Sequence, residues 1–318
     1  MSIIFWQPGL AVGSSNLLTG EEVRTIKEAI RTGKAVDKTA TRLCEVHDLK
    51  TGQSVHAAFG LPGVDSHFLP SGADFGIRQE IEALAESSSP VEAEEIMDWL
   101  CYIMDGQCSE EEYDNGIRDK GRTGWRFRNF VDDPKSKEAH LLQPEVLAMR
   151  IYSSHLFRYM NDPLRDDERY AQREACPLPL TTLYAADGIK KLRAIYAKPT
   201  QRTSYPLTLW RGMRNRKVTD TFLSEGGTEM AFMSTTTDLK VAVLYSLSQQ
   251  SLLFKIVAPN FLSMGADLQW VSAFPGEAEI VYPPLTFLEP TGRTQEVSEV
   301  RDGQLLHFTV VEMTPFLS

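Results

Sequence analysis

At 318 residues, with 42% hydrophobic and 24% charged positions, the chain has the composition of an ordinary globular protein, long enough for about two domains. A formal net charge of −10 argues against a general binder of nucleic acid or of anionic membranes. No stretch approaches the roughly 18 consecutive apolar residues that a membrane span requires.

The first six residues, from Met1 to Trp6, are apolar but lack the basic leader and long hydrophobic core of a signal peptide. Cys44, Cys101, Cys108 and Cys176 show neither a Cys-x-x-Cys spacing nor a nearby histidine pattern. They read as reduced thiols of a cytoplasmic protein without a metal site; a secreted effector delivered without a signal peptide is also compatible. Thr19-x-x-Glu22 is a capping box, and Val23, Ile26 and Ile30 continue an apolar stripe that Gly33 ends, so the spacing predicts a helix of about three turns. Over residues 43–68, Gly52, Gly60 and Gly63 interrupt short β-prone pieces, and His47, His56 and His67 have no ligand spacing.

From Gln79 to Ile117 there are twelve Asp or Glu residues and no Lys or Arg, which leaves the rest of the chain close to neutral. Within this segment Ser89-Pro90-Val91-Glu92 is a capping box with proline at the first helical position. Ile96, Trp99, Leu100, Ile103 and Met104 follow at helical spacing, up to Gly106. The acidic face is read as solvated, with a cover over a basic part of the second half as the alternative. Arg118, Lys120, Arg122, Arg126 and Arg128, interleaved with Trp125 and Phe127, form a basic patch whose position beside the acidic segment predicts pairing within the chain rather than nucleic-acid binding. A domain boundary is expected near residues 110–120, giving an N-terminal mixed helical domain (1–115) with a regulatory or targeting role, through which a regulatory partner could act, and a second domain (116–318).

The second domain opens with predicted helices over 144–160, stopped by Asn161-Asp162-Pro163, and over 183–196, closed by Lys198-Pro199. Strands are then expected over 207–211, 230–235, 252–257, 280–282, 286–288 and 305–311. Between the second and third strands lies an amphipathic segment over 238–247, with Asp238 as N-cap and Val241, Leu244 and Tyr245 spaced for burial. Helices first and strands afterwards describe an α+β domain with a largely antiparallel sheet.

Three strand-borne features carry chemistry. In Leu207-Thr208-Leu209-Trp210-Arg211-Gly212, alternation puts Arg211 on the face of two core residues, where a cation needs an anion, and Gly212 admits a ligand or another backbone. Phe232-Met233-Ser234-Thr235-Thr236-Thr237 is a hydroxyl-rich strand end. Phe274-Pro275-Gly276-Glu277-Ala278-Glu279-Ile280-Val281-Tyr282-Pro283-Pro284 is a turn feeding a short strand. There Glu277 and Glu279, about 6.6 Å apart along the chain, are expected on one face. Alone, such a Glu-x-Glu reads as a solvated edge.

Taken in this order the three resemble the arginine, Ser-Thr-Ser and Glu-x-Glu motifs of the arginine-specific mono-ADP-ribosyltransferases, over roughly residues 120–318. Tyr152 with Ser153, and Asn161 to Arg165, resemble that family's helix before the motifs, whereas Thr236 stands where many members have a second serine. The histidine-tyrosine motif of the diphtheria-toxin-like branch is absent. The resemblance implies a split antiparallel β-sheet core and NAD as substrate. It makes Glu279 the catalytic carboxylate, with Ser234 positioning it and holding the nicotinamide-side ribose, and Thr235 in support. Arg211 with Gly212 would sit at the cofactor's phosphate or ribose. Glu277 would bind and deprotonate an arginine of a protein acceptor, beside Phe274, which is either an acceptor contact or a buried loop anchor. No metal or covalent intermediate is implied. An NAD glycohydrolase on the same site and a non-catalytic binding protein on a degenerate transferase fold are the competing readings.

Overall fold

The computed structural model describes residues 17–34, 76–172, 174, 176–195 and 205–317. The readings made on Met1 to Trp6, on Cys44, on residues 43–68 with their three histidines, and on Lys198-Pro199 lie outside those residues.

The expected α+β order holds. Helices α1 (Gly20–Thr32), α2 (Ile77–Glu86), α3 (Pro90–Met104), α4 (Phe127–Val131), α5 (Pro134–Glu138), α6 (Gln143–Tyr152), α7 (Phe157–Leu164), α8 (Asp167–Gln172) and α9 (Pro179–Ile195) precede the first strand. There follow β1 (Leu207–Arg214), α10 (Asp220–Glu225), β2 (Gly227–Glu229), β3 (Met233–Thr236), α11 (Leu239–Ser246), β4 (Gln250–Ala258), β5 (Ala266–Asp267), β6 (Glu279–Tyr282), β7 (Thr286–Arg301) and β8 (Gln304–Phe316). The strands form one sheet in the order β2-β7-β8-β4-β1-β3-β6-β5, and every neighbouring pair is antiparallel except β4 with β8.

Strand alternation divides the sheet between two cores. Trp210, Leu253, Phe308 and Val310 meet Ile26 and Ile30 of α1 and Ala242 and Val243 of α11 on one face. Leu209, Met213, Phe254, Ile256 and Val311 fill the other. The capping box of α1 is present, and its Glu22 carboxylate also receives Lys255 Nζ at 2.9 Å, which ties the helix to the middle of the sheet. A third core joins α2, α3, α6 and α9: Ile81, Ile96 and Leu100 pack with Val146, Met149, Tyr184 and Ile189. Packing is therefore continuous across residue 115. Glu80 of α2 accepts the backbone N–H groups of Leu180 and Thr181 at 2.6 and 2.9 Å and so caps α9, which begins at Pro179 rather than near residue 183.

The acidic helix α3 buries Ile96, Trp99, Leu100 and Ile103 as expected, leaves Met104 half-buried, and keeps Glu94 and Asp98 exposed; Glu95 pairs with Arg158 at 3.4 Å. The arginines of the basic patch are engaged within the chain. Arg118 lies 3.9 Å over the Trp99 ring, Arg128 meets Asp132, and Arg122 and Arg150 converge on the fully buried Asp119, to which Tyr102 also donates at 2.5 Å.

Several predicted elements differ in ways that matter for the site. The helix expected over 144–160 is broken between Tyr152 and Phe157, because the hydroxyls of Ser153 and Ser154 bond back to the carbonyls of Arg150 and Ile151 at 2.8 and 2.6 Å. Of the strand expected over 230–235 only 233–235 forms, as part of β3, and a separate strand β2 precedes it at Gly227–Glu229. Between them the N–H groups of Ala231 and Phe232 are taken by the side chains of Glu229 and Asn161 rather than by a neighbouring strand. The short strands expected at 286–288 and 305–311 are parts of one long hairpin turned at Asp302-Gly303, both at positive φ. In α11 the buried residues are Leu239, Ala242, Val243 and Ser246, not Val241, Leu244 and Tyr245. Among the described residues no helix is long and apolar enough to cross a membrane.

Candidate active site

A cleft enclosing about 960 Å³ of empty space, open to solvent, lies where β1, β3 and the start of β6 meet α6, α7 and α11. Arg211, Gly212, Ser234, Thr235, Glu277 and Glu279 all line it, brought together from strands remote in sequence. Tyr152, Ser153 and Asn161 complete the wall opposite the sheet. The break after α6 is what lets that helix and α7 both reach the cleft.

Arg211 sits on the core-facing side of β1 and is only 6% exposed. The anion it requires is Glu229, 5% exposed, at 3.3 Å from Nη2. The same carboxylate receives Arg165 Nε at 2.8 Å. Arg211 Nη1 donates to the Ser234 carbonyl at 2.9 Å, so the guanidinium braces β3 directly beneath Ser234, while its Nε has no hydrogen-bond partner among the described residues. Burial alone would raise the Glu229 carboxyl, but Arg165 and Arg211 outweigh it and hold the group below the usual carboxylate range. Neither Glu229 nor Arg165 was assigned to this task from the sequence; the available signal was the need for an anion opposite Arg211.

Hydroxyls on β3 hold the strand carrying the carboxylates. Thr235 Oγ1 donates to the Ile280 carbonyl and Thr236 Oγ1 to the Glu277 carbonyl, both at 2.7 Å. Thr236, the departure from Ser-Thr-Ser, thus has a defined role in fixing the turn. The turn itself corrects the expected geometry of Glu-x-Glu. Pro275–Glu277 is a 3-10 turn, Ala278 adopts a left-handed conformation (φ 47°), and the strand begins only at Glu279. Strand alternation therefore does not relate Glu277 to Glu279; a tight turn does, and both side chains still reach the cleft. Glu279 is 8% exposed, and its charge, after burial itself, pushes the fully buried Tyr152 phenol upward.

Gly212 admits a backbone: a Cβ there would stand 1.9 Å from the Ala242 carbonyl, so the glycine lets α11 pack onto β1. Phe274 is 7% exposed and does not line the cleft. It packs against Trp99 and His155 with ring centroids 6.2 and 6.4 Å away, which is the placement of a loop anchor. Upstream, Arg122 Nη1 and Arg150 Nη1 hold the carbonyls of Ser272 and Val271 at 2.6 and 3.1 Å, and Ser153 Oγ accepts the Ala273 N–H at 2.9 Å. The approach to Glu277 is thus clamped by α6 and the basic patch. Tyr245, unassigned from the sequence, lines the cleft and donates its hydroxyl to Glu277 Oε1.

Two carboxylates at a turn, a hydroxyl strand beside them and a buried guanidinium below can stabilise positive charge on a bound sugar and hold its hydroxyls. A family comparison points the same way. The family model described as "NAD:arginine ADP-ribosyltransferase" matches residues 108–301. No curated protein sequence matches. Among solved structures, the ADP-ribosyltransferase HopU1 of Pseudomonas syringae pv. Tomato DC3000 is 20% identical with a TM-score of 0.42, covering 59% of this chain and 85% of that one. The ADP-ribosyltransferase toxin Plx2a from Paenibacillus larvae is 16% identical with a TM-score of 0.40, covering 60% and 95%. A mutant of the eucaryotic mono-ADP-ribosyltransferase ART2.2, solved with NADH, is 12% identical with a TM-score of 0.44, covering 78% and 89%. None of these scores reaches 0.5, so membership rests on the family match, which spans more than half of the sequence and includes Arg211, Ser234 and both glutamates of the turn. The chain belongs to the NAD:arginine ADP-ribosyltransferase family and takes NAD as its substrate.

Proposed function

We propose that the protein transfers ADP-ribose from NAD to an arginine side chain of a protein acceptor, releasing nicotinamide. The observation that carries this reading is the convergence of Glu277 and Glu279 on one cleft wall, each on its own side of Ala278, with Ser234 and Arg211 beside them.

The bond between ribose and nicotinamide breaks with its electron pair leaving on nicotinamide, and positive charge grows on the ribose carbon, as in glycoside hydrolysis. Glu279, nearly buried at the start of β6, supplies a fixed negative charge for that state and a contact to a ribose hydroxyl. Ser234 supports the nicotinamide-side ribose from the adjacent strand. Arg211 reaches the diphosphate or adjacent ribose with guanidinium donors that its bonds to Ser234 and Glu229 leave over. Glu277 binds the incoming guanidinium and takes its proton as nitrogen bonds to the ribose carbon. Phe274 serves this step as the buried anchor of the turn.

The test is incubation with NAD labelled in its adenylate half and agmatine, a small guanidinium acceptor. ADP-ribosyl-agmatine is the expected product; release of free ADP-ribose alone, at a rate that agmatine does not alter, would favour hydrolysis and contradict the proposal. For the described part of residues 1–115 we propose a regulatory or targeting role through the exposed acidic face of α3. A variant with Glu94 and Asp98 changed to Ala that keeps agmatine transfer but loses protein acceptors supports it; unchanged partner binding and activity would count against it.

A further inference from the structure

Glu277 is held at both ends by one strand-and-helix unit. Its carbonyl accepts Thr236 Oγ1 at the end of β3, and its Oε1 accepts the hydroxyl of Tyr245 in the last turn of α11. Asp238 caps α11 through the Lys240 N–H at 2.8 Å, and the Asp238 N–H itself returns to Thr236 Oγ1 at 3.0 Å. The helix cannot drift, because Gly212 brings Ala242 against β1 and Arg214 Nε holds the Tyr245 carbonyl at 2.9 Å. The hydroxyl of Tyr245 is therefore placed by the fold.

Glu277 needs such a partner. It ends a one-turn 3-10 segment and is followed by a left-handed residue, so no regular strand fixes its side chain. Its cleft-lining position leaves it half-buried. The phenol can serve as a steady donor: burial, and then the negative charge of Glu277, keep its proton bound well above the ordinary tyrosine range.

We infer that Tyr245 is a positioning residue for the acceptor: its hydroxyl orients the Glu277 carboxylate to receive a guanidinium, and so sets how ADP-ribose divides between arginine and water. The inference rests on the acceptor role proposed for Glu277. Removing the hydroxyl takes away the donor that holds Oε1 in this orientation. Attack by the guanidinium nitrogen, which needs that carboxylate to accept its proton, then loses ground to attack by water.

Tyr245→Phe tests this, since it keeps the ring and removes only the hydroxyl. With NAD and agmatine, the ratio of ADP-ribosyl-agmatine to free ADP-ribose is expected to fall about tenfold and the agmatine KM to rise, the effect of losing one hydrogen bond to a charged group. Tyr245→Phe combined with Glu277→Gln should be no worse than Glu277→Gln alone, because both act through one carboxylate. A ratio within twofold of wild type in Tyr245→Phe, with or without a loss of total rate, would overturn the inference. If that result came with Glu277→Gln losing transfer, the acceptor role of Glu277 would stand. If Glu277→Gln transferred to agmatine as wild type does, the reading beneath would fall as well.

Discussion

Glu229→Gln perturbs the buried centre on which the cleft floor depends. The carboxylate is 5% exposed, with Oε1 accepting Arg165 Nε at 2.8 Å and Ala231 N at 3.1 Å, and Oε2 accepting Arg211 Nη2 at 3.3 Å. Glutamine keeps the size and one acceptor oxygen. It removes the negative charge between two guanidinium groups and turns an NH2 donor towards one of them. Loss of one partner from a buried ion pair costs about 3–5 kcal/mol, so a loss of that order is expected in urea unfolding at neutral pH. The pH dependence has a definite sign. Glu229 titrates below its ordinary value of 4.5 in the folded protein, so its contribution is fully present above about pH 4.5 and is lost as the pH falls through the lower folded-state value. The gap between wild type and Glu229→Gln should therefore narrow in acid below that point. Because Arg211 braces the Ser234 carbonyl, the KM for NAD should also rise. An unchanged unfolding midpoint at neutral pH, or a gap that stays constant down to low pH, would refute the role of Glu229 between Arg165 and Arg211.

Gly212→Ala should cost about 1–3 kcal/mol in thermal unfolding and lower activity with it, since the new Cβ must push the Ala242 carbonyl and α11 away from β1. Ser153→Ala leaves the buried Ala273 N–H without its acceptor; a loss of about 1–3 kcal/mol is expected in urea unfolding, together with a lower kcat because the approach to Glu277 loosens. Phe274→Ala should destabilise by about 3–5 kcal/mol as a buried anchor. An unchanged melting temperature combined with a raised acceptor KM would instead assign Phe274 to acceptor contact.

Arg211, Ser234, Thr235, Glu277 and Glu279 of the cleft are legible in the sequence because each belongs to a local signature: an arginine in phase with core positions, a hydroxyl-rich strand end and two carboxylates after a turn. What could not be read was how tertiary contacts override those local patterns. The Glu277 to Glu279 segment has strand propensity only from Glu279 onward, and the left-handed Ala278 is set by packing of the turn, not by its own residue type. The gap between β2 and β3 follows from Glu229, which takes the N–H of Ala231 two residues on, and from Asn161, which takes that of Phe232 from 71 residues away. Glu80 caps α9 from about a hundred residues away, a contact that the local start signal, Pro179 at the first helical position, does not encode. Residues 289–301 alternate too weakly to signal a strand, since much of that edge is exposed and its pairing is supplied by β8. Tyr245 sat in an amphipathic pattern that placed it in the core. The observed helix is rotated so that Ala242 and Ser246 face the sheet and Tyr245 faces the cleft.

Whether Glu279 drives transfer of ADP-ribose to a guanidinium is tested by mass-spectrometric identification of the products formed from NAD and agmatine by wild type and by Glu279→Gln. ADP-ribosyl-agmatine is expected from wild type, with a loss of at least about a hundredfold in Glu279→Gln, the scale of removing one group that stabilises developing charge, and with the fold intact by circular dichroism. Transfer that persists in Glu279→Gln, or wild-type turnover that yields only free ADP-ribose, would contradict that role.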